Sequence, residues 1–428
     1  MIKLLIVADD FTGALDTGVQ FASCGAVTKV ITREDYKMEV VDESVEVLVI
    51  NAETRHMTAD DAYGTTYNII KRAYEKGIPH IMKKTDSALR GNIGSELSAV
   101  LDATGEKVLH FIPALPKMNR VTRKGIHFID GIKVSDSVFG TDPFEPVLDS
   151  YIPDIISGQS NKAVVVLERE AGNEMVDSPS IYVYDAETEG DIRCIADSIY
   201  EKDKLRVFAG CAGLASVLPD LLGLKGKSVH YCNKIEKLLI LCGSVNPITG
   251  KQLDYAEARG IKRIRLKPHQ KLSKEYYDTS CGKRDIEELV KMLSSSAVGI
   301  IDSNDPSGEM TTREYARENG MSLDDIRVNI SSTLGFILKR LFEAGIESTV
   351  LITGGDMLLG FMKQMDIWEL SPVCEMAPGT VMSRMTVNGR EYEIISKSGG
   401  FGDENLFMEL ADKYMKKPDK RRKNIEKI

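Results

Sequence analysis

At 428 residues, with hydrophobic residues at 43% and charged residues at 28%, the chain has the composition of an ordinary globular protein and the length of two domains. Its net charge of -9 excludes a broad nucleic-acid surface, so any bound anion must be met by a local cluster. The opening MIKLLIVADD lacks the long apolar region of a signal peptide, no run approaches a membrane span, and seven cysteines without a CxxC pair favour reduced thiols, so the expected setting is the cytoplasm.

Lys3 to Ala8 reads as a strand buried on both faces, as in parallel sheets, and Ala14 to Ala22 as the helix after it. In open α/β sheets, ligands bind where strand carboxyl ends meet helix starts, which makes Asp9, Asp10, Thr12 and Asp16 candidates to touch a small polar molecule. A helix cap at Asp10 or Thr12 is the competing reading. Glu46 to Asn51 is a second strand, with Arg55 beyond its tip as a candidate for an acidic ligand or a plain exposed arginine. Ala59 to Lys76 follows as a helix and Ile78 to Met82 as a third strand.

The segment KKTDSALRGNIGSE, Lys83 to Glu96, then packs two lysines, an arginine and several polar groups into a turn before an apolar-periodic helix that includes Ile93, Leu97, Val100 and Leu101. Backbone amides and the helix dipole favour anions at such a junction. Lys83, Lys84 and Arg90 add full charge, Arg90 being suited to two-pronged carboxylate binding, while Asp86 and Ser87 can grip hydroxyls or cap the helix.

Lys107 to Ile112 is a further strand, followed by a long irregular segment, Pro113 to Gly131, of the size used for lids and binding loops; Arg120, Thr122 and Arg123 stand out in it. Ala163 to Leu167, Ile181 to Tyr184 and Arg206 to Phe208 continue the alternation of strands with helices. The pattern breaks between Pro219 and Lys237, where GLKGKS lacks the first glycine of a P-loop. We therefore expect a first α/β domain over 1–222, a second over 236–415 and a basic flexible tail over 416–428.

The second domain opens as the first did. Lys237 to Leu241 enters the small-residue turn Cys242 to Asn246, with a helix beginning near Pro247. Ala297 to Asp302 is a strand entering SNDPSGE, where Asp302 and Asp305 can either reach a magnesium ion through water or cap a helix. A long helix over Leu323 to Ala344 precedes a strand, Ser348 to Ile352, and the turn Thr353, Gly354, Gly355, Asp356, Met357. Ile394 to Glu404, IISKSGGFGDE, is again a strand into a glycine-rich turn. Glycines at these junctions let phosphates approach the main chain, and Asp356 can accept a proton or reach a metal, so three such turns in one domain point to a nucleotide site.

In order along nearly the whole chain, ADDFTGALDTG at Ala8, KKTDSALRGNIGSEL at Lys83, PALPKMNRVTRKG at Pro113, GSVNPITGKQ at Gly243, TGGD at Thr353, and APGT with KSGGFGDE near the end resemble the four-carbon acid sugar kinase family. The resemblance implies two α/β domains with mainly parallel sheets and the active site in the inter-domain cleft. It implies ATP and Mg2+ as cofactors, a small-molecule sugar acid as partner, and no nucleic acid or membrane; a homo-oligomer is compatible with it. Carried over by motif, substrate contacts fall on Asp10, Arg55, Lys84, Thr85, Asp86 and Ser87, to which the chemistry of the turn adds Arg90. Nucleotide contacts fall on Ser244, Gly354, Gly355, Asp356, Met357 and Gly399. One of Asp10, Asp86 or Asp356 is expected to take the hydroxyl proton.

The short KTDS form is more similar to the threonate and erythronate kinases than to the 3-oxo-tetronate branch. A non-catalytic two-lobed sensor of an acidic metabolite is the alternative from another class. Three positions depart from the family pattern: Met357 stands where threonine is usual after GGD, Asn119 where glycine is common, and NPIT at Asn246 where SPVT is typical.

Overall fold

The apolar runs that open the two halves of the sequence become central strands, Leu4–Ala8 and Leu238–Cys242, buried along their whole length. The structure, a computed structural model, describes residues 1–142, 145–168, 178–202, 205–227, 234–306, 308–387 and 389–415; the basic tail over 416–428 lies outside them. The chain divides into two units. One comprises the described residues of Met1–His230 with Trp368–Glu375, and the other those of Tyr231–Ile367 with Met376–Ile428.

The first unit runs β1 (Leu4–Ala8), α1 (Phe11–Ser23), β2 (Thr28–Ile31), β3 (Val47–Asn51), α2 (Ala59–Glu75), β4 (His80–Lys84), α3 (Ile93–Thr104) and β5 (Val108–Ile112). It continues through β6 (Arg120–Arg123), β7 (Ile126–Ile129), β8 (Ile132–Lys133), α4 (Ile152–Ser157), β9 (Ala163–Leu167), β10 (Ser180–Tyr184), α5 (Glu189–Glu201), β11 (Val207–Gly210), α6 (Ala212–Ala215) and α7 (Leu218–Leu221). Its main sheet has the order β2-β3-β1-β4-β11-β5-β10-β9, all parallel.

The register is level at the carboxyl ends, where Ala8 pairs with Asn51 and Lys84, and Lys84 with Gly210. The turns after β1, β3 and β4 therefore emerge side by side. Beneath them Ile69 and Ile70 of α2 and Leu97, Val100 and Leu101 of α3 share one apolar core with Leu5, Val7, Leu48, Ile50 and Ile81. Each such side chain contributes about 1.5–3 kcal/mol when fully buried.

Two sequence expectations change here. β4 runs to Lys84 rather than stopping at Met82, because the side chains of Lys83 and Lys84 are buried and the strand continues beneath them. The segment from Pro113 to Gly131 is not an irregular loop. A short 3-10 turn, Pro116–Met118, leads into the antiparallel β6-β7-β8 sheet, whose pairs include Val121 with Phe128 and Ile129 with Ile132. Its mixed polar and apolar residues had hidden the strand period.

The second unit runs β12 (Leu238–Cys242), α8 (Pro247–Glu257), β13 (Lys262–Arg265), α9 (Pro268–Leu272), α10 (Ser280–Ser295), β14 (Val298–Asp302), α11 (Thr312–Glu318), α12 (Leu323–Glu343), β15 (Thr349–Thr353), α13 (Gly355–Gln364), β16 (Glu369–Ala377), β17 (Thr380–Val387), β18 (Arg390–Lys397) and α14 (Leu406–Tyr414). The stretch of β16 up to Glu375 belongs to the first unit, where Leu370 pairs antiparallel with Val30 and Glu369 with Ile31. The second unit's own sheet orders β13-β14-β12-β15-β18-β17, parallel except that β17 runs antiparallel to β18. Cys242 stands level with Asp302 and Thr353, and Thr353 with Lys397, so the turns after β12, β14, β15 and β18 share one end of that sheet. Mainly parallel sheets in two α/β units are what the alternation of strands and helices implied.

Candidate functional site

The first cluster is built on the ends of β1, β3 and β4. Asp10 caps α1, its carboxylate accepting the Gly13 amide at 3.1 Å, and so satisfies one of the donors that a helix start leaves free. The same carboxylate lies 2.7 Å from the Arg55 guanidinium, which also meets Asp9 at 2.6 Å and stands 3.8 Å from Asp86. Burial would raise the Asp9 carboxyl, but Arg55, Lys84 and Lys83 together hold it below its ordinary value. Gly13 keeps this packing open. A Cβ there would fall 2.3 Å from the Lys84 ammonium and 2.5 Å from the Asp10 carboxylate.

The turn after β4 brings Thr85, Asp86, Ser87 and Arg90 into the same cluster. Arg90 meets Asp86 at 2.7 Å and Asp142 at 3.1 Å. Burial opposes ionisation of Asp86, yet Arg90, Arg55 and Arg120 hold its carboxyl well below the usual carboxylate range. Leu89 in this turn has φ of 64°, a left-handed conformation uncommon for leucine. The Thr85 hydroxyl is buried with no hydrogen-bond partner, an orphan of the kind that collects at ligand sites.

Lys83 has another task. Fully enclosed, it pairs with Glu96 at 3.1 Å and donates to the Lys84 carbonyl at 2.7 Å, bracing the turn from below. Burial raises the Glu96 carboxyl against the pull of Lys83.

Of the three residues that stood out between Pro113 and Gly131, the structure brings one to the cluster. Arg120 donates to the Ser87 hydroxyl, and its guanidinium lies over the Phe139 ring, 5.2 Å from the centroid. Thr122 is a support, its hydroxyl 3.2 Å from His127 Nδ1, while His127 Nε2 meets the Ser87 carbonyl at 2.9 Å. Burial pulls the His127 ring down to about 4, so it stays neutral in this relay. Arg123 turns to the surface and pairs with Glu187. Asn119, φ 51°, sits in the left-handed region that asparagine and glycine both tolerate, which accounts for that departure from the family pattern. Asp16, half-buried on α1, is pushed up to about 7 by burial, with Asp10 and Glu375 adding like charge and Lys84 opposing.

The second cluster is made mostly of main chain. Gly354, φ 98°, closes β15 and begins α13, and its amide donates to the Lys397 carbonyl at 3.2 Å. A Cβ on Gly399 would lie 2.6 Å from the Ser244 hydroxyl, and one on Gly243 would lie 2.9 Å from Met357 Cγ. Ser244, Gly354, Gly355, Asp356, Met357 and Gly399 are thus gathered at one end of the sheet. The Met357 side chain is buried against Gly243, and its place in the first turn of α13 keeps its backbone with the cluster. Asp356 is 46% exposed at its side chain and pairs with Arg327 at 3.0 Å. The Ser303 hydroxyl at a neighbouring strand tip is buried without a partner among the described residues.

Lys397, quoted in the motif but not singled out from sequence, is a buried cation of this second cluster. It is 2% exposed, donates to the Ser398 carbonyl at 2.9 Å, and has no carboxylate within ion-pair distance among the described residues. Burial pulls its ammonium down to about 8. A lysine two residues past the apolar pair Ile394–Ile395, at the tip of a strand entering a glycine-rich turn, was the signal that could have found it.

The two aspartates named for magnesium are committed elsewhere. Asp302 pairs with Arg263 at 2.6 Å, and Asp305 with Lys271 at 2.6 Å while accepting the Thr312 amide at the start of α11, so the helix-cap reading holds for Asp305. Among the described residues no cluster of three or more His, Cys, Asp or Glu is arranged to hold a metal, and no helix is long and apolar enough to cross a membrane.

A charged side-chain cluster at the strand ends of one unit and a glycine-built cluster at the strand ends of the other mark a protein of two α/β units. Residues 4–218 match the sugar-binding N-terminal domain family and residues 239–407 the nucleotide-binding C-terminal domain family. The chain is similar to a D-threonate kinase of Salmonella typhimurium, 28% identical over 94% of this chain and 96% of the relative. It is also similar to a D-threonate kinase of Bordetella bronchiseptica, 24% identical over 95% and 96%. A crystal structure from Salmonella typhimurium LT2, described as a tRNA synthase, shares the fold at a TM-score of 0.78 and 20% identity, covering 97% of this chain and all of that one. The chain belongs to the four-carbon acid sugar kinase family.

Proposed function

We propose that this chain is an ATP-dependent kinase that phosphorylates a hydroxyl of a four-carbon sugar acid of the threonate or erythronate type. The observation that carries the reading is the contrast between the clusters in one chain: buried charges and hydroxyls around Asp10 and Asp86, and amide-rich glycine turns at Ser244, Gly354 and Gly399. The first suits a small polyhydroxy acid and the second suits phosphates. The names of the relatives and the short KTDS turn support the substrate class.

Phosphoryl transfer asks a protein to place two reactants in line and to neutralise charge. In this reading Lys84, Thr85 and Ser87 contact the sugar acid, while Arg55 and Arg90 hold Asp10 and Asp86 in place for its hydroxyls. Asp86, kept strongly acidic by its arginines, is a weak base. Asp10, a quarter exposed at its side chain, is our assignment for the hydroxyl proton. The amides of Gly354 to Met357 at the start of α13, with Ser244 and Gly399, take the nucleotide phosphates. Magnesium typically keeps one or two carboxylates and the phosphates as ligands, and the exposed carboxylate of Asp356 fits that need; the ion would supply neutralisation of phosphate charge.

A panel of four-carbon and five-carbon acids, assayed for ADP release, tests the reading. D-threonate or D-erythronate should give ATP-dependent release, and Asp10→Asn should lower kcat about 100-fold or more. Tight acid binding without ADP release would replace the kinase with the sensor.

A further inference from the structure

Four cations converge on the acid-binding cluster, and three are answered by carboxylates. Arg55 holds Asp9 and Asp10, Arg90 holds Asp86 and Asp142, and Lys84 lies 3.6 Å from Asp9. Arg120 differs. Among the described residues no carboxylate lies within ion-pair distance of it; Nη1 donates to the Ser87 hydroxyl, Nε is buried with no acceptor, and no hydrogen bond is made by Nη2.

The side chain is nevertheless held on a built frame. The amide and carbonyl of Arg120 both pair with Leu115, at 3.2 and 2.7 Å. The Phe139 ring lies under its guanidinium and under that of Arg90, at 5.2 and 5.1 Å. Its hydroxyl acceptor, Ser87, is set by the Thr122–His127 relay. A fixed, desolvated guanidinium that touches no carboxylate and meets the Asp86 charge only through space lowers the stability of the free protein, which is the usual mark of a group kept for a ligand.

We propose that Arg120 receives the carboxylate of the sugar acid through its unbonded terminal nitrogen and is the residue that selects acids over neutral polyols of equal size. This rests on the reading of the first cluster as the sugar-acid site. Arg55 and Arg90, whose charges are already met by aspartates, then serve as positioning residues, and Arg120 brings the charge that an alditol cannot answer.

The test compares Arg120→Gln and Arg120→Lys with the unsubstituted protein, using D-threonate and the neutral polyol threitol. For Arg120→Gln the KM for D-threonate should rise about 30- to 100-fold with the KM for ATP unchanged, and the preference for threonate over threitol should shrink by a similar factor. Its melting temperature without ligand should equal or exceed that of the unsubstituted protein, because an unanswered charge has gone; a purely structural arginine would lower it. Arg120→Lys, or guanidinium ion added to Arg120→Gln, should recover part of the affinity. An unchanged KM for D-threonate, or equal losses for acid and ATP, would overturn the proposal. Calorimetric titration of D-threonate separates it from the kinase reading. Acid binding that weakens in Arg120→Gln, in a protein that releases no ADP, would retain Arg120 and discard the kinase.

Discussion

The two units build their candidate sites from different materials at equivalent places. Both gather their candidate residues at the carboxyl ends of parallel strands, yet the first uses side chains in a lattice of ion pairs around Arg55 and Asp86, and the second uses glycines and helix starts around the buried Lys397. Most of the charges in the first cluster answer one another. A polyhydroxy acid offers few atoms, each needing its own partner, whereas phosphates can be met by repeated amides whatever the side chains.

The strongest way to break this comparison is to remove the hub of the ion-pair lattice. Arg55→Ala leaves buried Asp9 with Lys84 alone and strips Asp10 of its cation, and should destabilise the first unit by about 3–5 kcal/mol in urea unfolding. Trp368, the sole tryptophan, lies in that unit under the Arg33 guanidinium and makes its fluorescence a local probe. A loss below about 1 kcal/mol would mean that water screens the lattice.

Next in size is a conformational test of the glycine cluster. Gly354 has room for a methyl group, its nearest neighbours being 3.8 Å from a built Cβ, but its backbone at φ 98° and ψ 123° is costly for alanine. Gly354→Ala should cost about 1–3 kcal/mol in the turn and raise the KM for ATP about tenfold or more, leaving that for the acid unchanged. An equal effect on both substrates would erase the division between the units.

Lys397 sharpens the contrast through pH. Its folded pKa of about 8 lies below the ordinary lysine value, so between about pH 8 and 10.5 the unfolded chain binds more protons and stability rises with pH. Lys397→Met should lack that rise, by an amount of order 1 kcal/mol in paired denaturation curves at pH 7.5 and 9.5. Parallel curves would show that the ammonium is not desolvated.

At Asp16 the sign of the pH dependence reverses. Its folded pKa of about 7 lies above the ordinary 3.8, so the folded chain binds more protons between those values and stability falls as pH rises through them. Asp16→Asn should match the unsubstituted protein near pH 4 and exceed its melting temperature above pH 7. A constant offset across that range would place the cause elsewhere.

Much of this was legible in the chain because local patterns carry it. The apolar runs at Leu4 and Leu238 and the glycine junctions after Thr353 and Lys397 mark strands and turns wherever they fold. Strands β2 and β13, reading TKVI and KRIR, were missed because charged residues interrupt their apolar pattern. The extra strand that Trp368–Glu375 lends to the first unit was also out of reach, since nothing local says that a segment after α13 will pair with Val30 and Ile31.

The sequence by itself determined the alternation of strands and helices, the chemistry available at each turn and the family to which the chain belongs. Only the tertiary structure decided how the charges are spent. Lys83 and Lys84 are neighbours in sequence, yet one is locked beneath the turn on Glu96 and the other lies beside Asp9 in the cluster. Arg120 and Arg123 are three residues apart, and one meets Ser87 while the other meets Glu187 at the surface. Alternation along a strand sets which way a side chain points, but which partner waits there depends on segments far away in the chain, and that is information no local pattern contains.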